Sequence, residues 1–173
     1  MVMNEKVEKL MNEQINAELY SAYLYQSMAA YFESVNLTGF ARWMEVQALE
    51  EMTHAQKFYR HINERAGRVL LKAMEAPPVG WNSPLHIFEE SYKHEQKVTA
   101  LINNIVKVSN EEKDYASQSL LQWFVDEQVE EEDSTDQIVQ KLRMIKDNPG
   151  ALYMLDKELG ARTFTPPKEK SKE

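Results

Sequence analysis

The chain has 173 residues, 43% of them hydrophobic, which is enough to bury one sizeable core, so a single domain is expected. It contains no cysteine, which excludes disulfide scaffolds, thiolate zinc sites and thiol chemistry and leaves carboxylate, imidazole or amide groups to hold any metal. The net charge is −8, no stretch combines clustered Lys and Arg with aromatics, and no segment is a long uncharged apolar run. These features argue against nucleic acid and membranes as partners, predict a soluble cytoplasmic chain, and favour the approach of cations.

The eleven Gly and Pro residues are confined to a few breaks, and long helical patterns run between them. Apolar residues at steps of three and four predict helices over residues 4–35, 38–66, 84–108 and 110–145, and a short fifth helix over 149–161. Start signals support three of these: Ser83 followed by Pro84, a capping box at Ser109-x-x-Glu112, and Asn148 followed by Pro149. The tail TFTPPKEKSKE carries no periodicity; residues 164–173 are expected to be disordered and residues 1–163 to form the domain.

Loop lengths give the topology. Short breaks near residues 35–38 and around Ser109 make helices one and two, and three and four, antiparallel hairpins. The middle connection, residues 67–82, reaches ~50 Å if extended at ~3.3 Å per residue. A helix of ~30 residues is ~45 Å long, so this connection spans the bundle and sets helices two and three parallel. The predicted fold is all-α: a four-helix bundle with one long crossover and a short fifth C-terminal helix.

Each apolar stripe is interrupted by a carboxylate. The first reads Met11, Ile15, Glu18, Ala22, Tyr25, Ala29; the second Phe40, Met44, Gln47, Glu51, His54, Phe58, Ile62. The third is Phe88, Glu95, Ile102, flanked by Tyr92 and Val106; the fourth is Leu121, Phe124, Gln128, Glu131, Thr135, Ile138, Leu142. One buried glutamate is commonly a hydrogen-bonded structural group. Four on one seam are different, because burying an unpaired carboxylate costs several kcal/mol and no Lys or Arg sits on any stripe to compensate. Ionised, Glu18, Glu51, Glu95 and Glu131 carry a charge that two divalent ions balance, with His54 and Gln128 as neutral donors. Glu51-x-x-His54 places two ligands on one helical face, an arrangement of carboxylate-bridged di-iron bundles. Hard oxygens with one imidazole suit iron or manganese.

The segments AELYSAYLY, EEMTHAQ, YKHEQ and LLQWFVDEQVEEE resemble the helix signatures of non-haem bacterial and archaeal ferritins, over residues 4–161. The resemblance implies a ferroxidase centre with one iron at Glu18, Glu51 and His54 and a second at Glu51 and Glu95, with Glu131 and Gln128 beside them and Glu51 bridging. It implies a third iron site at Glu50, Glu127, Glu130 and Glu131, and an electron-donating role for Tyr25. It also implies that ALYMLDKELGA lines the four-fold axis of a hollow shell of twenty-four subunits.

Departures separate this chain from neighbouring families. Bacterioferritins supply a second Glu-x-x-His where this chain has Gln128-x-x-Glu131. Met52 occupies their haem-ligand position, but it reads as core packing, so haem is not expected. Rubrerythrin-like enzymes add a cysteine-rich domain, and the miniferritins place their metal site between subunits. In the acidic run from Glu127 to Asp133, Glu131 lies on the seam, only Glu127 and Glu130 join the third site, and the rest is a solvated face. His61, His86 and His94 lack partner motifs, and Trp43, Trp123 and Phe124 read as core. The expected activity is oxidation of Fe(II) by dioxygen or hydrogen peroxide and storage of Fe(III) in a homo-oligomeric shell. A soluble di-iron oxidase for an organic substrate, a bacterioferritin-like haem-binding variant and a purely structural helical module remain the alternatives.

Overall fold

The computed structural model describes residues 2–166 and contains five helices: α1 (Glu5–Ser34), α2 (Thr38–Glu64), α3 (Pro84–Glu111), α4 (Tyr115–Ile145) and α5 (Pro149–Leu159). The chain from residue 167 onwards, most of the segment expected to be disordered, lies outside the described residues.

Two predicted caps are in place. Ser83 Oγ accepts from the His86 amide at 3.1 Å, with Pro84 opening α3, and Asn148 Oδ1 accepts from the Ala151 amide at 3.0 Å at the head of α5. The third is corrected. Ser109 lies inside α3, which runs on to Glu111, and α4 is capped instead by Asp114, whose Oδ1 accepts from the Ser117 amide at 3.2 Å. Asp114 is fixed by a buried contact with Arg65 at 2.8 Å from the end of α2, and Lys113, at φ 53°, makes the turn. A tertiary ion pair thus sets the start of α4 three residues past the predicted box.

The crossover, which contains no helix or strand, is laid along α1. Arg68 N donates to Glu8 Oε1 at 3.1 Å, and Asn12 holds the Arg68 carbonyl and the Leu70 amide at 3.0 and 2.6 Å. Near the other end of α1, Ser27 Oγ donates to the Pro78 carbonyl at 2.6 Å and the Tyr31 hydroxyl to the Trp81 carbonyl at 2.8 Å. From Glu8 to Tyr31 the helix rises about 35 Å. The crossover therefore returns the chain to the end of the bundle at which α2 began, and α2 and α3 run parallel.

The buried side chains form two apolar clusters. One gathers Tyr25, Met28, Phe32, Phe40, Trp43, Met44 and Phe88; the other gathers Val7, Met11, Phe58, Ile62, Ile102, Leu121 and Phe124. Between them along α1 to α4 lies a buried polar layer: Glu18, Gln47, Glu51, His54, Glu95, Gln128 and Glu131. Met52 departs from expectation. One position past Glu51 it turns off the seam and is 43% exposed, so it is not core packing.

Helix α2 has no side-chain cap of its own, since Leu37 precedes it. Asp156 of α5 supplies one: its Oδ1 accepts from the Gly39 and Phe40 amides at 2.9 and 3.0 Å. The close approach requires Gly39, where a Cβ would stand 1.7 Å from the Asp156 carbonyl oxygen. Asp156→Ala should therefore lower stability by about 1–2 kcal/mol, the usual cost of a lost N-cap, and Asp156→Asn, which keeps the acceptor, by clearly less; denaturant unfolding of the two variants checks this.

Candidate metal centre

The seam carboxylates meet because each of α1 to α4 brings one to the same height between the two apolar clusters. Ligand atoms of Glu18, Glu51 and His54 lie within 4.8 Å of one another, all three side chains buried; a second group joins His54, Glu127 and Glu131 by the same criterion. His54 stands between the two, with Nδ1 3.3 Å from Glu51 Oε2 and Nε2 3.6 Å from Glu127 Oε1.

Neutral donors hold part of the charge. Gln14 Nε2 donates to Glu18 Oε1 at 2.8 Å. Gln47 Nε2 donates to Glu131 Oε2 at 2.6 Å and Glu51 Oε1 at 3.4 Å. The Tyr25 hydroxyl donates to Glu95 Oε1, and Gln128 Nε2 to Glu95 Oε2 at 3.3 Å and Thr99 Oγ1 at 3.2 Å. Glu18 Oε2 and Glu51 Oε2 are buried and receive no hydrogen bond among the described residues. Glu18 Oε2, without a partner, and Glu51 Oε2, which faces only the His54 imidazole, fit a hard cation, since native interiors rarely leave such atoms without hydrogen bonds.

The electrostatics agree. Burial, then the field of neighbouring carboxylates, pushes Glu95 and Glu131 up to about 8 and raises Glu18 and Glu51 above the usual carboxylate range. Burial disfavours the imidazolium of His54, but the charge of Glu51 and the contact with Glu127 outweigh it, and its pKa rises well above the ordinary value. Burial and the charge of Glu95 lift the Tyr25 phenol well above its ordinary range.

Not every expected residue joins the cluster. Glu127 is half-buried beside His54, whereas Glu130 is exposed and outside both groups. Glu50 is engaged by Arg162, Nη2 to Oε2 at 2.5 Å. Of the remaining histidines, His94 lies 2.7 Å from Ser21 Oγ and is held down to about 4 by burial and then by Lys97, while His61 lies 3.1 Å from Ser117 Oγ. Trp43 and Phe124 are core, and Trp123 is half-buried with Lys57 over its ring at 4.0 Å. Sequence reasoning assigned no role to Gln14, Gln47 or Arg162. Gln47 lay on the stripe and Gln14 one turn before Glu18, which was the available signal; Arg162 offered none.

Residues 8–145 match the family model of the ferritin-like domain. The chain belongs to the ferritin family. A bacterial non-heme ferritin of Staphylococcus aureus (strain USA300) is 40% identical over 163 residues, 94% of this chain and 98% of that protein. One from Bacteroides fragilis (strain 638R) is also 40% identical, over 93% of this chain and all of its own length. Among solved structures, a closed form of the Archaeoglobus fulgidus ferritin engineered by site-directed mutagenesis superposes with a TM-score of 0.93 at 53% identity, covering 94% of this chain and 99% of that one. An open pore ferritin from the same hyperthermophilic archaeon gives 0.92 at 52% identity, over 93% and 98% of the two chains. The four-helix bundle with a short fifth helix read from the helical pattern thus holds, as does the ferritin resemblance of the quoted segments, and no helix among the described residues is long and apolar enough to cross a membrane.

The raised pKa values give the metal-free ferritin a characteristic pH dependence. An unfolded glutamate titrates near 4.3, whereas Glu95 and Glu131 in the fold titrate at about 8, so the folded chain holds more protons throughout that interval. Stability is then greatest below the unfolded value and falls as pH rises through the folded one. The melting temperature of metal-free protein should drop between about pH 5 and pH 8, and Glu95→Gln should flatten the drop while leaving the protein at pH 8 at least as stable as the parent. Thermal unfolding across that range checks both; a clearly less stable Glu95→Gln chain would mark Glu95 as a structural residue.

Proposed function

We propose that this ferritin oxidises Fe(II) at the seam, with dioxygen or hydrogen peroxide as oxidant, and stores the Fe(III) as an oxyhydroxide mineral inside a homo-oligomeric shell, of twenty-four subunits as the family resemblance implies, in the cytoplasm. The observation that carries this reading is the group of Glu18, Glu51 and His54, buried together with two carboxylate oxygens left without hydrogen bonds. Iron is substrate and cargo here. Glu18, Glu51 and His54 would hold one ion, and Glu51 with Glu95 a second, with Glu131 and Gln128 adjoining; Glu50, Glu127, Glu130 and Glu131 would form an outer third site.

The chemistry follows from the donors. Each Fe(II) gives up one electron, so two ions held together supply the pair that reduces dioxygen to hydrogen peroxide with uptake of two protons. Anionic oxygen ligands stabilise Fe(III) over Fe(II), which favours that loss. The carboxylates act as ligands, and they must shed their protons as metal enters, so loading releases acid. Tyr25, whose hydroxyl donates to Glu95, would be the electron donor beside the centre that the resemblance implies, its electron going to the oxidant. The low polarity of the flanking clusters keeps bulk water from the layer.

One feature favours the runner-up, a di-iron oxidase for an organic substrate. A groove of about 310 Å³ between α3 and α4, lined by Ile102, Val125 and Val129, reaches Gln128 beside Glu95. Sedimentation separates the readings: a shell supports storage, whereas a monomer or dimer with tightly held iron supports the oxidase.

Aerobic addition of Fe(II) to metal-free protein should give a fast oxidation saturating at about two irons per chain, followed by slower mineral growth. Stopped-flow absorbance follows both phases. His54→Ala removes the only imidazole on the seam and should slow the fast phase by about tenfold or more. Two equivalents of Zn(II), which binds such donors more tightly than Fe(II) and has no redox chemistry, should suppress it in the parent. Oxidation no faster than in matched buffer would overturn the ferroxidase reading.

A further inference from the structure

Arg162 stands beyond the end of α5, far in sequence from every seam residue, yet its guanidinium is fitted to α2. Nη1 donates to Gln47 Oε1 at 2.9 Å and to the Trp43 carbonyl at 3.3 Å, Nη2 donates to Glu50 Oε2 at 2.5 Å, and the group lies 4.3 Å over the Trp43 ring. Residues 43, 47 and 50 occupy one face of α2 at helical spacing, so the guanidinium spans two turns of that helix. Its own carbonyl accepts from Arg42 Nε at 3.4 Å, and α5 before it is tied to the head of α2 through Asp156. Arg162 is therefore held at both ends, by backbone anchorage and by four contacts at the guanidinium.

Two consequences follow from donor chemistry. A carboxamide has one acceptor side and one donor side. With Gln47 Oε1 taken by Arg162, Nε2 is turned into the seam, where it reaches Glu131 at 2.6 Å and Glu51 at 3.4 Å. Arg162 thus fixes the sense of a donor that two seam carboxylates use. Second, Glu50 already has a cation. Its side chain is 25% exposed and that of Arg162 is 21% exposed, so the pair is close enough to water to open.

We propose that Arg162 is the resident counter-cation of the outer acidic group and a positioning residue for it: a metal ion takes Glu50 only by displacing the guanidinium, and this competition sets the affinity of the third site. The proposal rests on the reading of Glu50, Glu127, Glu130 and Glu131 as that site. Displacement is favourable because a divalent or trivalent ion gathers several carboxylates where the guanidinium meets one, and because its charge repels the guanidinium once bound. A third site weakened in this way releases its ion readily. Filling it also removes one of the contacts that hold the segment after α5, so occupancy is read out as loosening at the C-terminal end of the described chain.

The test uses Zn(II), which is redox-inert, and the full-length assembled protein. Calorimetric titration of parent, Arg162→Gln and Arg162→Lys should show tight equivalents at the seam and a weaker third that Glu127→Gln removes. Loss of the competing charge in Arg162→Gln should tighten the third equivalent by about tenfold, the scale of one charge-assisted contact, while Arg162→Lys, which keeps the charge, should stay near the parent. In the parent, amide hydrogen exchange over residues 160–166 should speed up on addition of the third equivalent and not of the first two. Unchanged or weakened third-site affinity in Arg162→Gln would overturn the counter-cation role, as would exchange indifferent to the third equivalent, which is measured on the parent and so does not depend on any variant folding. A parent that binds no third equivalent would overturn the outer-site reading, and the competition with it, while leaving the seam centre standing.

Discussion

Everything in this bundle is arranged around the cost of placing four carboxylates in a seam that water does not reach. Glu18, Glu51, Glu95 and Glu131 are each at most 4% exposed, and no Lys or Arg shares their stripes. In such a place, like charges raise one another's proton affinity, and the metal-free molecule answers with protons, with the raised basicity of His54 and with amide donors. Cations of high charge do the same work far better. The site is therefore poor as a structural feature and good as a binding one, the usual relation between stability and function at a preorganised centre.

The two apolar clusters absorb that cost. Aromatic packing is dense on both sides, with Phe32 stacked on Phe40 at 5.1 Å in one cluster and Phe58 on Phe124 at 4.1 Å in the other. The polar layer is thereby clamped between two apolar cores. The crossover matters equally, since its hydrogen bonds along α1 orient α3 so that Glu95 arrives opposite Glu51 and not at the far end of the bundle. Asp156 adds the last constraint by docking α5 on the head of α2, which carries Arg162 to Gln47 and Glu50.

Much of this was legible in the sequence. Glu18, Glu51, His54, Glu95, Gln128 and Glu131 could be read as one layer because helical periodicity is a local property and a carboxylate on an apolar stripe breaks it visibly. The crossover was legible because the length of a connection, set against the length of the helices, restricts where it can end. The failures share a cause. Asp114, not the Ser109 box, caps α4 because it meets Arg65, 49 residues away in sequence; Arg162 reaches Gln47 across 115 residues. Neither pairing leaves a mark on local pattern. Met52 failed for a simpler reason: membership of a helix with an apolar face does not place a side chain on that face, and the position after Glu51 is turned off it.

The layer is also asymmetric, and the asymmetry bears on how cations would enter it. Glu95 has both oxygens occupied, by the Tyr25 hydroxyl and by Gln128, and Glu131 is held by Gln47 at 2.6 Å. Glu18 has one oxygen held by Gln14 and one free of hydrogen bonds, and Glu51 Oε2 is likewise free, facing His54 Nδ1 at 3.3 Å. A cation arriving among Glu18, Glu51 and His54 meets two carboxylate oxygens that no neutral donor holds, whereas one arriving at Glu95 and Glu131 must share or break hydrogen bonds from three neutral donors. The first position is thus the more open of the two. Its occupation removes the negative charge of Glu51 from the field felt by Glu95 and Glu131, which eases their deprotonation, but it also sets a positive charge nearby, which opposes a second ion. With Glu51 as the shared ligand proposed above, the first effect would be exerted through that carboxylate, and its negative charge would soften the second. In the function proposed above, a bridging Glu51 would let two like-charged ions lie side by side, and its place one turn from His54 on the same face of α2 is the local fact on which that proposal turns.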